Sequence, residues 1–290
     1  MKIDRDRFLL GMVLGGLLLV TVRLSEFSVP LNKVADRSDS TVRYASAAAS
    51  SASMSNIPTL TPSPVPLSGY CLNVPVLLYH HVQPQSQASE LGQTSLSVDN
   101  EIFEDQMDYL VSNSYTTISA IQLADGLRLH APLPEKSIVV TFDDGYKDAY
   151  TYVYPILQRY KLKANFMIAT GLVGGSGYLS WNDIEEMSRS GLAYFVDHTW
   201  SHYPLNHGDR AKIKFEIETA KQNLEQHTGQ TVNIFAYPFG SFNNDSVEVL
   251  KESGFLGAFS TIPGFWQCDS FILTLHRNHI GNAPLSAYGL

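Results

Sequence analysis

Ser137-Ile138-Val139-Val140-Thr141-Phe142-Asp143-Asp144-Gly145 decides the fold. Four of its first six residues are β-branched, and none is charged. A short apolar run with that composition reads as a strand buried on both faces, which belongs to a parallel sheet covered by helices. The run stops at two carboxylates and a glycine. In such folds, chemistry sits just past the C-terminal ends of the strands. A second apolar run, Leu192 to Val196, ends the same way, in Asp197-His198-Thr199-Trp200-Ser201-His202.

Outward from these two segments, strand-length apolar runs alternate with helical patterns. Val74 to Tyr79, Ala164 to Ala169, Asn233 to Tyr237 and Leu256 to Thr261 read as strands. Phe103, Gln106, Met107 and Leu110 share one helical face, as the 3.6-residue period requires. Helices are expected from about Asp148 to Arg159, Asn182 to Arg189, Arg210 to His227 and Asn244 to Glu252, with Gly229 stopping the longest. About seven such units in residues 70–290 predict an α/β fold, a distorted (β/α) barrel of about seven parallel strands.

The amino end has another character. Lys2, Arg5 and Arg7 precede an apolar run from Phe8 to Val22. As a helix it reaches about 22 Å, short of the roughly 30 Å hydrocarbon core. It suits a signal peptide or a short signal anchor over residues 1–35. No small-residue cleavage site follows at once, which favours a retained anchor. Residues 36–69 are rich in Ser, Ala, Pro and Thr and read as a flexible linker. Anchor, linker and globular domain together place the domain outside the cytoplasmic membrane, or secreted if the signal is cleaved.

The chain of 290 residues carries a net charge of −8 and is 44% hydrophobic. That balance disfavours a nucleic-acid partner, which normally meets a basic face. Only Cys71 and Cys268 occur, near opposite ends of the globular part. An exported domain could join them in one disulfide; spacing alone leaves that open.

Adjacent carboxylates repel unless a cation or proton lies between them. Alone, Asp143 and Asp144 could equally form a solvated turn. His198 and His202, four apart, would face one way on a helical turn and suit a metal. One Asp with two His leaves open positions on an ion, as a hydrolase needs for water. The same three ligands also suit the Fe(II) of an oxygenase, although the second acid and the strand–helix alternation argue against that.

From Leu72 onward the chain resembles the polysaccharide deacetylases, the NodB-homology or carbohydrate esterase 4 family. Val74-Pro75-Val76-Leu77-Leu78-Tyr79-His80 resembles the family's opening strand, and Thr141 to Gly145 its first catalytic motif. His198 to His202 resembles its metal motif, Trp181 lies in a stretch similar to its tryptophan segment, and Ala236-Tyr237-Pro238-Phe239-Gly240 stands where it has R-x-P-[FY].

The resemblance implies roles. Asp144, His198 and His202 would hold one divalent ion, zinc by default. Asp143 would be the general base. The N–H of Phe239 would stabilise the oxyanion, and Tyr237 and Phe239 would shape the sugar groove. Two departures follow. Ala236 replaces the Arg that orients the base, and Arg277 is the proposed substitute, since Leu275-His276-Arg277 resembles an L-P-R segment of some members. The general acid falls to His276 by its match to L-x-H, with His279 as competitor. His80 and His81 would touch the site or serve structure. The implied function is hydrolysis of N-acetyl groups on N-acetylglucosamine-containing polysaccharide by a membrane-anchored monomer. An O-acetyl esterase of the xylan type and a catalytically weak carbohydrate-binding relative are the alternatives.

Overall fold

The computed structural model describes residues 68–290. The expected anchor and all but the end of the expected linker lie outside the described residues. Among the described residues, no helix is long and apolar enough to cross a membrane. The elements in chain order are β1 (Cys71–Asn73), β2 (Val76–Tyr79), β3 (His81–Val82), α1 (Gln85–Glu90), β4 (Ser97–Val98), α2 (Asn100–Ser112), β5 (Thr116–Thr117), α3 (Ala120–Leu129), β6 (Ser137–Phe142), α4 (Tyr154–Tyr160), β7 (Ala164–Ile168), α5 (Trp181–Arg189), β8 (Ala193–Asp197), α6 (Arg210–Thr228), β9 (Ile234–Ala236), α7 (Asn244–Glu252), β10 (Gly257–Phe259), β11 (Trp266–Cys268) and β12 (Asn278–His279).

Seven strands form one curled parallel sheet in the order β10-β9-β8-β7-β6-β2-β12, with β5 pairing to β6. Its two edges are joined by one short segment. Leu275 bridges to Phe259 on one edge, and Asn278 pairs with Leu77 on the other. This is the expected distorted barrel.

Side-chain alternation splits the core in two. Ile138, Val140 and Phe142 of β6 face outward and pack with Phe103 and Met107 of α2 and Leu157 of α4. Val139 faces inward with Val76, Met167, Val196, Ala236, Phe259 and Leu275. Leu123 and Leu127 of α3 pack with this inner set at the N-terminal end. The opposite end, where the strands finish, is left for polar residues.

The helix expected from Asp148 is not one regular helix. Ala149–Val153 is a π-turn, followed by α4. Pro155 explains the break, since it has no N–H to give to the preceding turn. α6 ends at Gly229, whose φ of 67° is left-handed, as a glycine stop requires.

β1 and β11 pair antiparallel, with Cys71 directly opposite Cys268, and the two form a disulfide. It closes a loop of 197 residues. In the chain-entropy account such a loop is worth about 5 kcal/mol at most.

Candidate active site

The inward row that carries Val139 continues past the end of β6. Two residues on is Thr141, and two more is Asp143. The same count brings His198 inward after Val196, His80 after Leu78, and Arg277 and His279 after Leu275. Asp143, Asp144, His198, His202, His80 and His279 all line one open cavity of about 530 Å³.

Arg277 grips Asp143 with both arms. Its Nη1 donates to Oδ1 at 2.6 Å and its Nη2 to Oδ2 at 2.8 Å. Its Nε donates to the Ser260 carbonyl at 2.9 Å. The Arg277 side chain is wholly buried and that of Asp143 nearly so. Burial alone would raise the Asp143 pKa; the Arg277 charge and hydrogen bonds outweigh it and hold the carboxyl below its ordinary value. Thr141 Oγ1 also touches Arg277 Nη1, at 3.3 Å, while donating to the Leu77 carbonyl.

Asp144 has a left-handed backbone, φ 72°, which turns its side chain away from that of Asp143. Its Oδ1 lies 3.3 Å from His198 Nε2 and 3.0 Å from His202 Nε2. His198 Nδ1 sits 2.8 Å from the Ala236 carbonyl, an acceptor only, so that nitrogen carries the proton. In the neutral ring, Nε2 then presents a lone pair to Asp144 Oδ1, which is buried without a donor of its own. Converging lone pairs at these distances call for a cation. Tetrahedral coordination with bonds of about 2.1 Å spaces ligand atoms roughly 3.4 Å apart. The donor set therefore fits a divalent ion. Burial pushes the Asp144 pKa up, and positive charge on the His198 and His202 rings, standing where a cation would, more than offsets it and keeps the carboxyl ionised.

His198 and His202 do not share a helical turn. They stand on a loop in which Thr199 and His202 are both left-handed, with φ of 67° and 58°. A β-branched residue in that region is strained and must be held. Asp197 Oδ1 accepts the Thr199 N–H at 2.8 Å, and Thr199 Oγ1 accepts the Tyr203 N–H. Glu216 of α6 secures the middle. Its carboxylate accepts the Ser201 N–H and Oγ–H, each at 2.7 Å, and its carbonyl accepts the Trp200 N–H. Glu216 is wholly buried and salt-bridged to Lys212. The sequence carried one signal for it: an acid on the buried stripe of Ile213, Ile217, Ala220 and Leu224.

Two expected assignments change. His276 is not at the site; it stacks on Phe271, with ring centroids 4.6 Å apart, and it falls on the opposite parity to Arg277. His279 shares the Arg277 face and lines the cavity. Tyr237 is not in the groove either. It follows Phe235 on the outward row, is wholly buried, and packs against Phe235 and Phe242. Phe239 does reach the cavity. It is 67% exposed, left-handed at φ 59°, and edge-on to His202 at 4.5 Å.

His80 stacks on His279, with rings within 5° of parallel and 5.6 Å apart. Burial lowers both pKa values. His81 points the other way. It pairs with Asp148 at 2.5 Å and stacks on Tyr146, which lines the cavity.

The sequence profile of the polysaccharide deacetylases matches residues 130–258. A Bacillus anthracis structure assigned to that family, BA0330, shares 30% identity with a TM-score of 0.67, covering 76% of this chain and 68% of that one. YxkH of Bacillus subtilis, likewise assigned to that family, is 28% identical over 204 residues, 70% of each chain. The poly-β-1,6-N-acetyl-D-glucosamine N-deacetylase of Escherichia coli K12 is 26% identical over 267 residues. This chain covers 78% of its own length in that match and 38% of the E. coli protein.

Proposed function

The chain belongs to the polysaccharide deacetylase family, and from that premise we propose that it hydrolyses N-acetyl groups of a β-1,6-linked poly-N-acetylglucosamine outside the cytoplasmic membrane. The observation that carries the proposal is the cavity in which an Arg-clamped carboxylate adjoins an Asp-His-His cluster. The linkage comes from the activity of the E. coli relative.

Asp144, His198 and His202 would hold the divalent ion. When bound, it would polarise the acetyl carbonyl and acidify a water. Asp143 accepts the proton of the attacking water. Arg277 fixes its orientation and keeps it ionised, in the place of the Arg that Ala236 lacks. The Phe239 N–H would stabilise the developing oxyanion. His279, not His276, gives the proton to the departing amine nitrogen. Acetate and a glucosamine unit leave. The disulfide supports an oxidising compartment, and the basic-then-apolar amino end supports an anchor there.

The test is acetate release by the full chain from β-1,6-linked N-acetylglucosamine oligomers and from acetyl-xylan, with and without chelator. Release from the amide substrate, lost with chelator and restored by zinc, is the expected result. Release from acetyl-xylan alone would replace the amidase with an esterase. No dependence on a metal would remove the ligand assignment.

A further inference from the structure

Between Leu275, which bridges to β10, and Asn278, which pairs with β2, the closing segment crosses the seam of the barrel. His276 and Arg277 occupy the crossing. Both backbone groups of His276 turn to one side chain, that of Gln267 in β11. Gln267 Oε1 accepts the His276 N–H at 2.9 Å, and its Nε2 donates to the His276 carbonyl at 3.1 Å. Two facing residues of an antiparallel pair exchange their bonds in the same way, so one amide stands in for a strand. Nε2 also donates to the Val74 carbonyl at 3.2 Å, which uses its second hydrogen. Gln267 is wholly buried.

Asn278 repeats the pattern on the other flank of Arg277. Its Oδ1 accepts the Gly264 N–H at 3.0 Å, and its Nδ2 donates to the Gly264 carbonyl at 2.9 Å. The loop that carries Gly264 passes close over the crossing: an added Cβ there would lie 2.5 Å from His276 Nδ1. The Arg277 N–H goes to the Ile262 carbonyl of the same loop at 3.0 Å. We propose that Gln267 and Asn278 are positioning residues for the reaction. Their amides fix the backbone on both sides of Arg277, and with it the aim of the guanidinium at Asp143. The bonds from Arg277 to Asp143 and Ser260 hold only the head of a long side chain. Its origin must be held too, because side chains alternate along an extended segment. A turn of the His276 peptide would swing Arg277 off the inward row. The proposal rests on the deacetylase reading for its kinetics but not for its geometry.

The experiment uses the full chain. Gln267→Met keeps the length of the side chain and removes its amide. Asn278→Ala removes the second amide at a half-buried position, where folding is less at risk. A control replaces Cys71 and Cys268 by Ser, which loosens the β1–β11 ribbon and leaves both amides in place. Acetate release is resolved into kcat and KM. Beside it, NMR spectra of the labelled chain follow the Arg277 Nη–H signals, which Arg277→Met assigns by their loss. A two-armed grip on a carboxylate keeps these signals resolved, and free rotation of the guanidinium merges them. In Gln267→Met, kcat should fall about tenfold with KM within about twofold, because the amide touches no substrate. Asn278→Ala should lower kcat about threefold in the same manner. The Nη–H signals should broaden or merge in both. The control should keep kcat, KM and the signals, whatever its melting temperature. Unchanged kcat with resolved signals in both amide variants, or an equal loss in the control, would overturn the proposal. The spectra are read without substrate, so a chain that releases no acetate sinks the deacetylase reading and still tests the clamp.

Discussion

Arg277→Met separates charge pairing from packing at the base. Methionine keeps much of the side-chain volume and removes two charge-assisted bonds of 2.6 and 2.8 Å in a buried site. Breaking one partner of a buried ion pair costs about 3–5 kcal/mol while the other stays charged. Asp143 has an escape: it can take up a proton. In the parent chain its folded pKa lies below the ordinary carboxylate value. Its contribution to stability is then complete above that value and lost only as pH falls through the lower folded value. In the variant, only the weaker influence of His198 and His80 opposes burial, and the folded pKa rises above the unfolded one. Stability is then lost as pH rises between the two.

Denaturant unfolding with chelator present, at about pH 4.5 and about pH 7, reads the difference. The variant's deficit should be larger at about pH 7 than at about pH 4.5, approaching the roughly 3–5 kcal/mol of a broken buried pair where Asp143 stays charged. The parent should stay nearly flat with respect to this group. The acid limb of acetate release should move to higher pH in the variant. An equal deficit at both pH values, with an unmoved acid limb, would show that Arg277 serves packing and does not control the charge of Asp143.

His279→Ala should lower kcat about a hundredfold or more, and His276→Ala should leave it within about twofold; the reverse ranking would return the acid role to His276. Glu216→Gln should weaken zinc binding about 10–100-fold in a competition titration with a chelating dye, because it loosens the loop that carries both histidines. Replacing Cys71 and Cys268 together by Ser should cost about 2–5 kcal/mol in unfolding. It should leave kcat unchanged, since β1 precedes the N-terminal end of β2 and the site lies past the other end.

The sheet was legible because its strands are continuous apolar runs, and β6 was readable to the residue. Short elements were not. β12 is two residues long, and nothing local marks Asn278–His279 as strand. Its pairing with β2 comes from tertiary closure of the barrel, so the parity of the closing segment was hidden. The L-x-H match favours His276, and only the parity of the closing segment selects His279. Tyr237 shows the related limit: a motif match carries no direction, whereas the alternation from Phe235 does. Asp143, Asp144, His198 and His202 were legible because residue type and position past a strand end coincide there. Glu216 acts through backbone groups of a distant loop, and only its place on a buried helical stripe hinted at it.

Ala236 and Arg277 come from different parts of the chain but face one interior. The inward row offers a small methyl at Ala236, which is wholly buried, and the guanidinium of Arg277 reaches in from the segment that closes the barrel. An Ala236→Arg variant should therefore be strongly destabilised, since it adds a second buried cation with one carboxylate to share. Joining it to Arg277→Ala removes the excess charge and frees volume. The double variant should then be more stable than the sum of the single effects by about 1–3 kcal/mol, measured by denaturant unfolding. It should also regain part of the acetate release lost in Arg277→Ala. Simple additivity would mean that the two positions do not share a charge partner, and that Arg277 is not the stand-in for the arginine missing at position 236.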